Sequence, residues 1–302
     1  MSVVVLEPGF LTTVQDLGRP GYAALGVSAA GAADPIALRA GNRIVGNPEG
    51  CAALEMTLVG AVLRFEHEAW IATTGATGAP VWTARRVAAG EAVACGPCRG
   101  GARSYLCVRG GLDVPLVLGS ASTHLATGLG GMQGRALRAG DRLALATRAT
   151  AEPLASGVDP RAIPGYADDG PLRVVDAPPK DGFTDEARGR FEAAAWDVTE
   201  ACDRMGIRLE GEPLARTTAR EPLTEGVPLG AIQIVSSGRP IVLFVDHQTT
   251  GGYPKIACVI AADLPRLGRV RPRDRLRFRR VELSLARHEL RRREEALVAI
   301  LA

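Results

Sequence analysis

Short apolar runs rich in β-branched residues, each closed within a few positions by a turn signal, decide what this chain of 302 residues can fold into. Such runs lie at 3–6, 54–58, 61–65, 70–74, 105–108, 142–146, 172–175, 207–210, 232–235, 241–245, 256–260 and 275–278. Val59-Gly60, Ala139-Gly140-Asp141 and Ser236-Ser237-Gly238 are typical of the punctuation between them. Runs of this length and spacing predict barrels or sandwiches rather than an alternating strand–helix array. Helices are few. Asp34-Pro35 reads as an N-cap followed by proline in the first turn, with Ile36, Ala40 and Ile44 on one face and Gly46 as the stop. Two further helices are expected at 185–195 and 284–301, the last with Leu290, Leu297 and Leu301 along one side. The expected class is mainly β with a few short helices.

The length suits two domains, each able to bury a core. Residues 152–171 are rich in Pro, Gly and Asp and read as a linker, which gives domains of 1–164 and 165–302. An internal echo supports two similar halves: LRAGDRLAL (137–145) lines up with VRPRDRLRF (270–278), and VAAGEAVAC (87–95) offers a third copy. TTGA (73–76) and TTGG (249–252) form a shorter pair.

Composition excludes several classes. A net charge of +3 gives no reason to expect a nucleic-acid partner. The basic stretch from Arg266 to Arg280 holds eight arginines against one aspartate, without a helix-turn-helix, zinc finger or aromatic stacking motif. Its alternation at 275–279 predicts a strand with arginines on one face and Leu276 and Phe278 on the other, either a solvated face or a docking face for an acidic subunit. No apolar stretch approaches bilayer length and no secretion signal opens the chain, so no membrane is expected and the cytoplasm is the expected location. The six cysteines then read as thiols. Cys95-Gly-Pro-Cys98 spells a redox motif, but a poor helix start follows it, where redox chemistry needs a helix N-terminus. The four histidines show no metal-ligand spacing, and no metal is expected.

What remains is a set of polar, glycine-rich strand ends. Gln15, Asp16 and Arg19 lie in the first, Ser120, Ser122 and Thr123 in the second, and Gly130, Gly131 and Arg135 in the third. Asp203 and Arg204 form a fourth, read either as an acid–base pair or as an exposed ion pair. The fifth is DHQTTGGYPKI (246–256), which empties from the apolar run PIVLFV and carries His247, Gln248, Thr249, Thr250, Gly251, Gly252, Tyr253 and Lys255. Lys255 is conspicuous because lysine is otherwise represented only by Lys180. Glycine lets backbone N–H groups approach a ligand, and a neighbouring arginine can clamp a carboxylate or phosphate. Any one cluster is equally readable as a β-turn. Together they are suited to a small anionic ligand. The glycines at 128–134 lack the strand and helix of a dinucleotide fingerprint, and no phosphate loop of the GxxxxGK[ST] form is present.

In order along the chain, VQDLGRPGY (14–22), GAADPIALRAGNRIVGNP (31–48), AALEMTLVG (52–60), VRGGLDVPLVLGSAST (108–123), GLGGMQGRALRAGD (128–141), DRMGIRLEG (203–211), TEGVPLGAIQI (224–234) and DHQTTGGYPKIACVIAADLPRLGRVRPRD (246–274) resemble the biotin-dependent carboxyltransferase-like family. That family includes 5-oxoprolinase C subunits, KipA-type antagonists of a kinase inhibitor, and proteins labelled allophanate hydrolase subunit 2. The QTTGGYP form is similar to the 5-oxoprolinase branch; urea carboxylase-type members look like DGPSLGGF there.

The resemblance implies two tandem cyclophilin-like β-barrel domains. It implies ATP-dependent opening of 5-oxo-L-proline to L-glutamate, together with partner subunits A and B (KipI-like). ATP, with or without Mg, would be bound by the complex, with no biotin on this chain. On that view Asp203 moves a proton or orients water, while Arg204 or Lys255 offsets ligand charge. Thr249, Thr250 and the Gly251-Gly252 backbone donate, and Tyr253 walls the pocket. Alternatives within the resemblance are a non-enzymatic regulatory binder, an allophanate hydrolase subunit and a urea carboxylase-type carboxyltransferase component. The chain departs from the family's more usual residues at His247 (Arg), Gly41 (Ala), Thr224 (Ser) and Gly268-Arg269 (Ala-Gln).

Overall fold

A computed structural model describes residues 1–79, 81–178, 182–217 and 222–301. The chain is mainly β, and it divides into two compact units. One comprises Met1–Pro20, Ala30–Ile163 and Val298–Ala302; the other comprises Gly21–Ala29 and Pro164–Leu297.

The first unit contains β1 (Ser2–Glu7), β2 (Leu11–Gln15), α1 (Pro35–Ile44), β3 (Ala53–Thr57), β4 (Val62–Phe65), β5 (Ala69–Gly75), β6 (Ala84–Val87), β7 (Ala92–Ala94), β8 (Arg103–Val108), β9 (Leu112–Asp113) and β10 (Arg142–Leu145). Its strands form two five-stranded sheets, β7-β4-β1-β10-β9 and β2-β3-β8-β5-β6. Val3 and Val5 of β1 join Leu63, Phe65 and Leu143 from one sheet and Val14, Leu54, Met56 and Leu106 from the other in one buried core. The register explains the selection: Val3 lies opposite both Leu143 and Phe65, and Val5 opposite Leu63. A period of two then puts these side chains on one face. Helix α1 begins as its sequence predicts, with the Asp34 carboxylate accepting from the Ala37 N–H at 3.1 Å. It packs on β5 and β8 so closely that a Cβ at Gly41 would lie 2.6 Å from Cys107 Sγ. That contact accounts for glycine where the family resemblance led us to expect alanine.

The second unit contains β11 (Leu172–Asp176), α2 (Asp185–Ala193), β12 (Trp196–Val198), β13 (Gly206–Glu210), β14 (Glu225–Gly226), β15 (Ala231–Ile234), β16 (Pro240–Leu243), β17 (Thr250–Gly251), β18 (Lys255–Val259), α3 (Leu264–Leu267), β19 (Arg275–Leu276) and β20 (Phe278–Arg280). Most of α4 (Leu283–Leu301) also lies here. Eight strands run in the order β19-β12-β13-β16-β15-β18-β11-β20, and β14 and β17 form a separate ribbon. The two edge strands, β19 and β20, are separated in sequence by Arg277 alone. The sheet therefore curls until its edges nearly meet, as a barrel. Phe278 at this closure stacks on Phe191 of α2, with ring centroids 4.7 Å apart, and Trp196 donates from Nε1 to the Phe191 carbonyl at 3.1 Å.

This closure corrects the expectation of one strand over 275–278. A chain that must serve both edges of a barrel breaks between them, yet the expected alternation holds across the break: Arg275, Arg277 and Arg279 are exposed, while Leu276 is half-buried and Phe278 buried. Arg275 pairs with Asp197, whereas Arg280 pairs with Glu192. The expected linker is also partly structured: Trp82 and Val158 exchange two backbone hydrogen bonds of 2.8 Å, and both side chains are buried with Ile163. The three-copy echo, by contrast, is a repeated turn. The acids Glu91, Asp141 and Asp274 each accept from the backbone N–H three residues earlier. The residue before each acid is left-handed: Gly90, Gly140 and Arg273, with φ of 83°, 88° and 73°. The TTGA and TTGG pair is not repeated in backbone shape, because Gly75 has φ of 79° and Gly251 is not left-handed. No helix among the described residues is long and apolar enough to cross a membrane.

Candidate functional site

In the first unit, the predicted polar residues close on one another. The Asp16 carboxylate accepts from Ser120 Oγ at 2.6 Å, Ser122 Oγ at 2.5 Å, the Ala121 N–H at 2.6 Å and the Gly18 N–H at 2.8 Å. Gln15 donates to the Thr123 carbonyl and to Thr13 Oγ1, both at 3.0 Å, while Thr123 Oγ1 donates to the Val14 carbonyl at 2.9 Å. Arg19 donates to the carbonyls of Val117 and Ser122. Gly130 and Gly131 are required by this packing: a Cβ would come 2.1 Å from the Ser122 carbonyl oxygen and 1.9 Å from Thr123 Oγ1, respectively. Arg135 grips Asp141 with two parallel bonds of 2.7 and 2.8 Å. Asp16, Arg19, Ser120, Ser122 and Thr123 are all buried. Their arrangement is an internal knot joining three loops, with its donors and acceptors facing inward.

The second unit places its predicted residues differently. Asp203 and Arg204 do not pair with each other. Asp203 is exposed and accepts from the Met205 and Gly206 N–H groups at 2.8 and 3.0 Å, capping its own turn. Arg204 points inward and meets Asp246 through Nε and Nη2, both at 2.8 Å. Neighbouring residues entering a strand face opposite sides, so the adjacent pair read from the sequence is split. The Arg204–Asp246 pair fastens the turn carrying Asp203 to the segment that begins DHQTTGGYPKI.

Along that segment, His247 is half-buried with Nδ1 2.6 Å from the Gln248 carbonyl oxygen. Burial lowers its pKa below the ordinary value, and the Gln248 carbonyl and Asp246 partly oppose this. Gln248 and Thr250 are exposed, Thr249, Gly251 and Gly252 are intermediate, and Tyr253 is 40% exposed. The ribbon sets Glu225 opposite Gly251 and Gly226 opposite Thr250. Beneath it, Gln233 of β15 lies opposite Lys255 of β18, where the register shifts as in a β-bulge. Bulges redirect side chains and recur beside active sites. A Cβ at Gly251 would come 2.6 Å from Gln233 Nε2, so only glycine lets the ribbon lie this close to that amide. Lys255 Nζ donates to Glu225, which closes a ring of four residues: Glu225, Gly251, Gln233 and Lys255. The lysine side chain is buried at 7% exposure, whereas that of Glu225 is 44% exposed.

Sequence reasoning missed Glu225 and Gln233. Gln233 carries a readable signal, as the polar residue within the apolar strand AIQI. Glu225 carries none, since an exposed acid thirty positions from Lys255 is ordinary. The Cys95–Cys98 pair has no helix at its start, and burial pushes the Cys95 thiol up to about 11, so a reactive thiolate is disfavoured.

The fold and these motifs belong together in known proteins. Residues 25–280 match the model for the carboxyltransferase domain, subdomain A and B, and the chain is a member of that family. It is 40% identical over 274 residues to the 5-oxoprolinase C subunit from Escherichia coli (strain K12), covering 88% of this chain and 87% of the relative. It is 37% identical over 299 residues to the 5-oxoprolinase C subunit from Haemophilus influenzae, covering 96% and 94%. Among solved structures, the K. lactis urea amidolyase superposes with a TM-score of 0.91 at 29% identity, over 99% of this chain and 20% of that one.

Proposed function

We propose that this chain is the C-type subunit of an ATP-dependent 5-oxoprolinase, acting with A and B subunits to open 5-oxo-L-proline to L-glutamate. The observation that carries this reading is its similarity to two 5-oxoprolinase C subunits, at 40% and 37% identity, along most of both chains. The chain corresponds to only a fifth of the urea amidolyase with the same fold. The ligand end of the reading rests on the second unit, where a buried ammonium, a buried amide, two threonines and a glycine-rich backbone meet at one strand end. The first-unit knot is assigned a scaffolding role.

5-Oxoproline offers a carboxylate and a lactam. Lys255 suits the carboxylate as a positioned cation, and the Gln233 amide can distinguish donor from acceptor on the ring. Thr249, Thr250 and the Gly252 N–H supply short-range donors for charge developing on the lactam oxygen. Asp203, exposed on a turn tied to this segment by Arg204 and Asp246, is our candidate for orienting water or moving a proton.

A nucleotide triphosphate fits these residues poorly, because Arg204 is held by Asp246 and Arg135 by Asp141. We therefore assign nucleotide binding to the partner subunits and derive no step through it here. The test is 5-oxoproline-dependent ADP and glutamate release by the assembled complex, with Thr249→Ala/Thr250→Ala and, separately, Asp203→Asn. Loss of turnover in both variants supports the reading. Wild-type rates in both, or turnover of allophanate in place of 5-oxoproline, overturn it.

A further inference from the structure

We propose that Glu225 is a built-in counter-ion that holds the place of a ligand carboxylate on Lys255, so that an acidic ligand binds by exchanging with it. This rests on the site proposed above and adds its regulation. The pair is asymmetric: the ammonium is buried and the carboxylate is half in solvent. A buried ammonium without a counter-charge is strongly unfavourable, so the charged form of Lys255 favours an anion beside it. Among the described residues, the anion it reaches is Glu225.

The element carrying that anion is suited to exchange. Strand β14 is two residues long and pairs only with the two-residue β17, outside the eight-stranded sheet. Lys255, by contrast, sits in β18, between β15 and β11 in the middle of that sheet. One partner is thus anchored in the barrel wall, while the other hangs on a four-residue ribbon. When Glu225 swings outward, the vacated place is bounded by Lys255 Nζ, the Gln233 amide and the Gly251 backbone. These are a cation, an amide and a peptide edge, which together fit a small monocarboxylate. The exchange keeps the buried charge compensated throughout, and it makes ligand affinity depend on how readily Glu225 leaves.

Competition of this kind lowers apparent affinity by the fraction of sites that are open. Removing the competitor should therefore tighten binding, which loss of a purely structural contact would not do. The experiment measures binding of 5-oxo-L-proline and of acetate to the full chain by calorimetry, for wild type, Glu225→Gln, Lys255→Met and Glu200→Gln. Glu200 is an exposed acid of the same unit, paired with Arg273, and controls for net charge alone. The expected result is about tenfold tighter binding of both carboxylates to Glu225→Gln. Lys255→Met should lose binding, and Glu200→Gln should match wild type. The proposal is overturned if Glu225→Gln binds no more tightly, if Glu200→Gln gains equally, or if Lys255→Met retains wild-type affinity. Failure of the 5-oxoprolinase reading looks different: Glu225→Gln then gains affinity for acetate while the assembled complex releases no glutamate.

Discussion

The guanidinium of Arg204 meets the carboxylate of Asp246 through two parallel hydrogen bonds of 2.8 Å, and the Asp246 N–H returns 2.8 Å to the Arg204 carbonyl. Two chain segments forty-two positions apart are thereby fixed at three points, with both side chains buried. Removing the acid takes a buried carboxylate away from a buried guanidinium. Asp246→Ala should cost about 3–5 kcal/mol, whereas Arg204→Met/Asp246→Leu should cost far less. Denaturant midpoints for the single and double variants check this.

Gly41 and Cys107 are coupled by space. A methyl group at position 41 would sit 2.6 Å from the buried thiol. Gly41→Ala should destabilise by about 1–3 kcal/mol, from overpacking that outweighs the gain in helix propensity. Adding Cys107→Ala should restore most of the loss. A double-mutant cycle on thermal midpoints measures the coupling, and additivity would refute the contact.

The repeated turn makes a separate prediction. Two copies put glycine in the left-handed position, but the third puts Arg273 there at φ of 73°. A left-handed non-glycine residue costs about 1–2 kcal/mol, and the exposed Arg273–Glu200 pair returns little of it. Arg273→Gly should raise the denaturation midpoint. Arg273→Val, β-branched and without side-chain help, should lower it.

His247 should confer acid sensitivity on the second unit. Burial is the largest influence on its ring and lowers its folded pKa below the ordinary value of 6.5. The unfolded chain then takes up its proton first, so this contribution to stability is complete above pH 6.5 and is lost as pH falls through the folded pKa. His247→Gln should flatten that part of the stability–pH curve. Midpoints measured between pH 5 and pH 8 for the two proteins provide the comparison.

Local rules made part of this structure readable in advance. The Asp34 cap, the Pro35 start and the burial of Ile36, Ala40 and Ile44 follow from interactions within four residues of one another, and all are present. The turn at Asp141 was visible as an echo because its chemistry is also local. Strand β2 was missed because LTTVQ looks polar, yet Thr12, Thr13 and Gln15 are buried, with Thr12 Oγ1 donating to the Pro8 carbonyl and Gln15 Nε2 to the distant Thr123 carbonyl. The site fared likewise. DHQTTGGYPKI could be marked as unusual, but the partners that decide what Arg204 and Lys255 do lie forty-two and thirty residues away. Long-range pairing also misled the reading of 275–278, where alternation predicted a continuous strand and the closing sheet demanded a break.

That break has a mechanical corollary. With Arg277 alone between β19 and β20 in sequence, the two rims of the eight-stranded sheet are held within one residue's reach of each other. An extra residue spliced between Leu276 and Phe278 would turn the phenyl ring away from its stack on Phe191 and unlatch the seam, even though every hydrophobic residue remained in the chain.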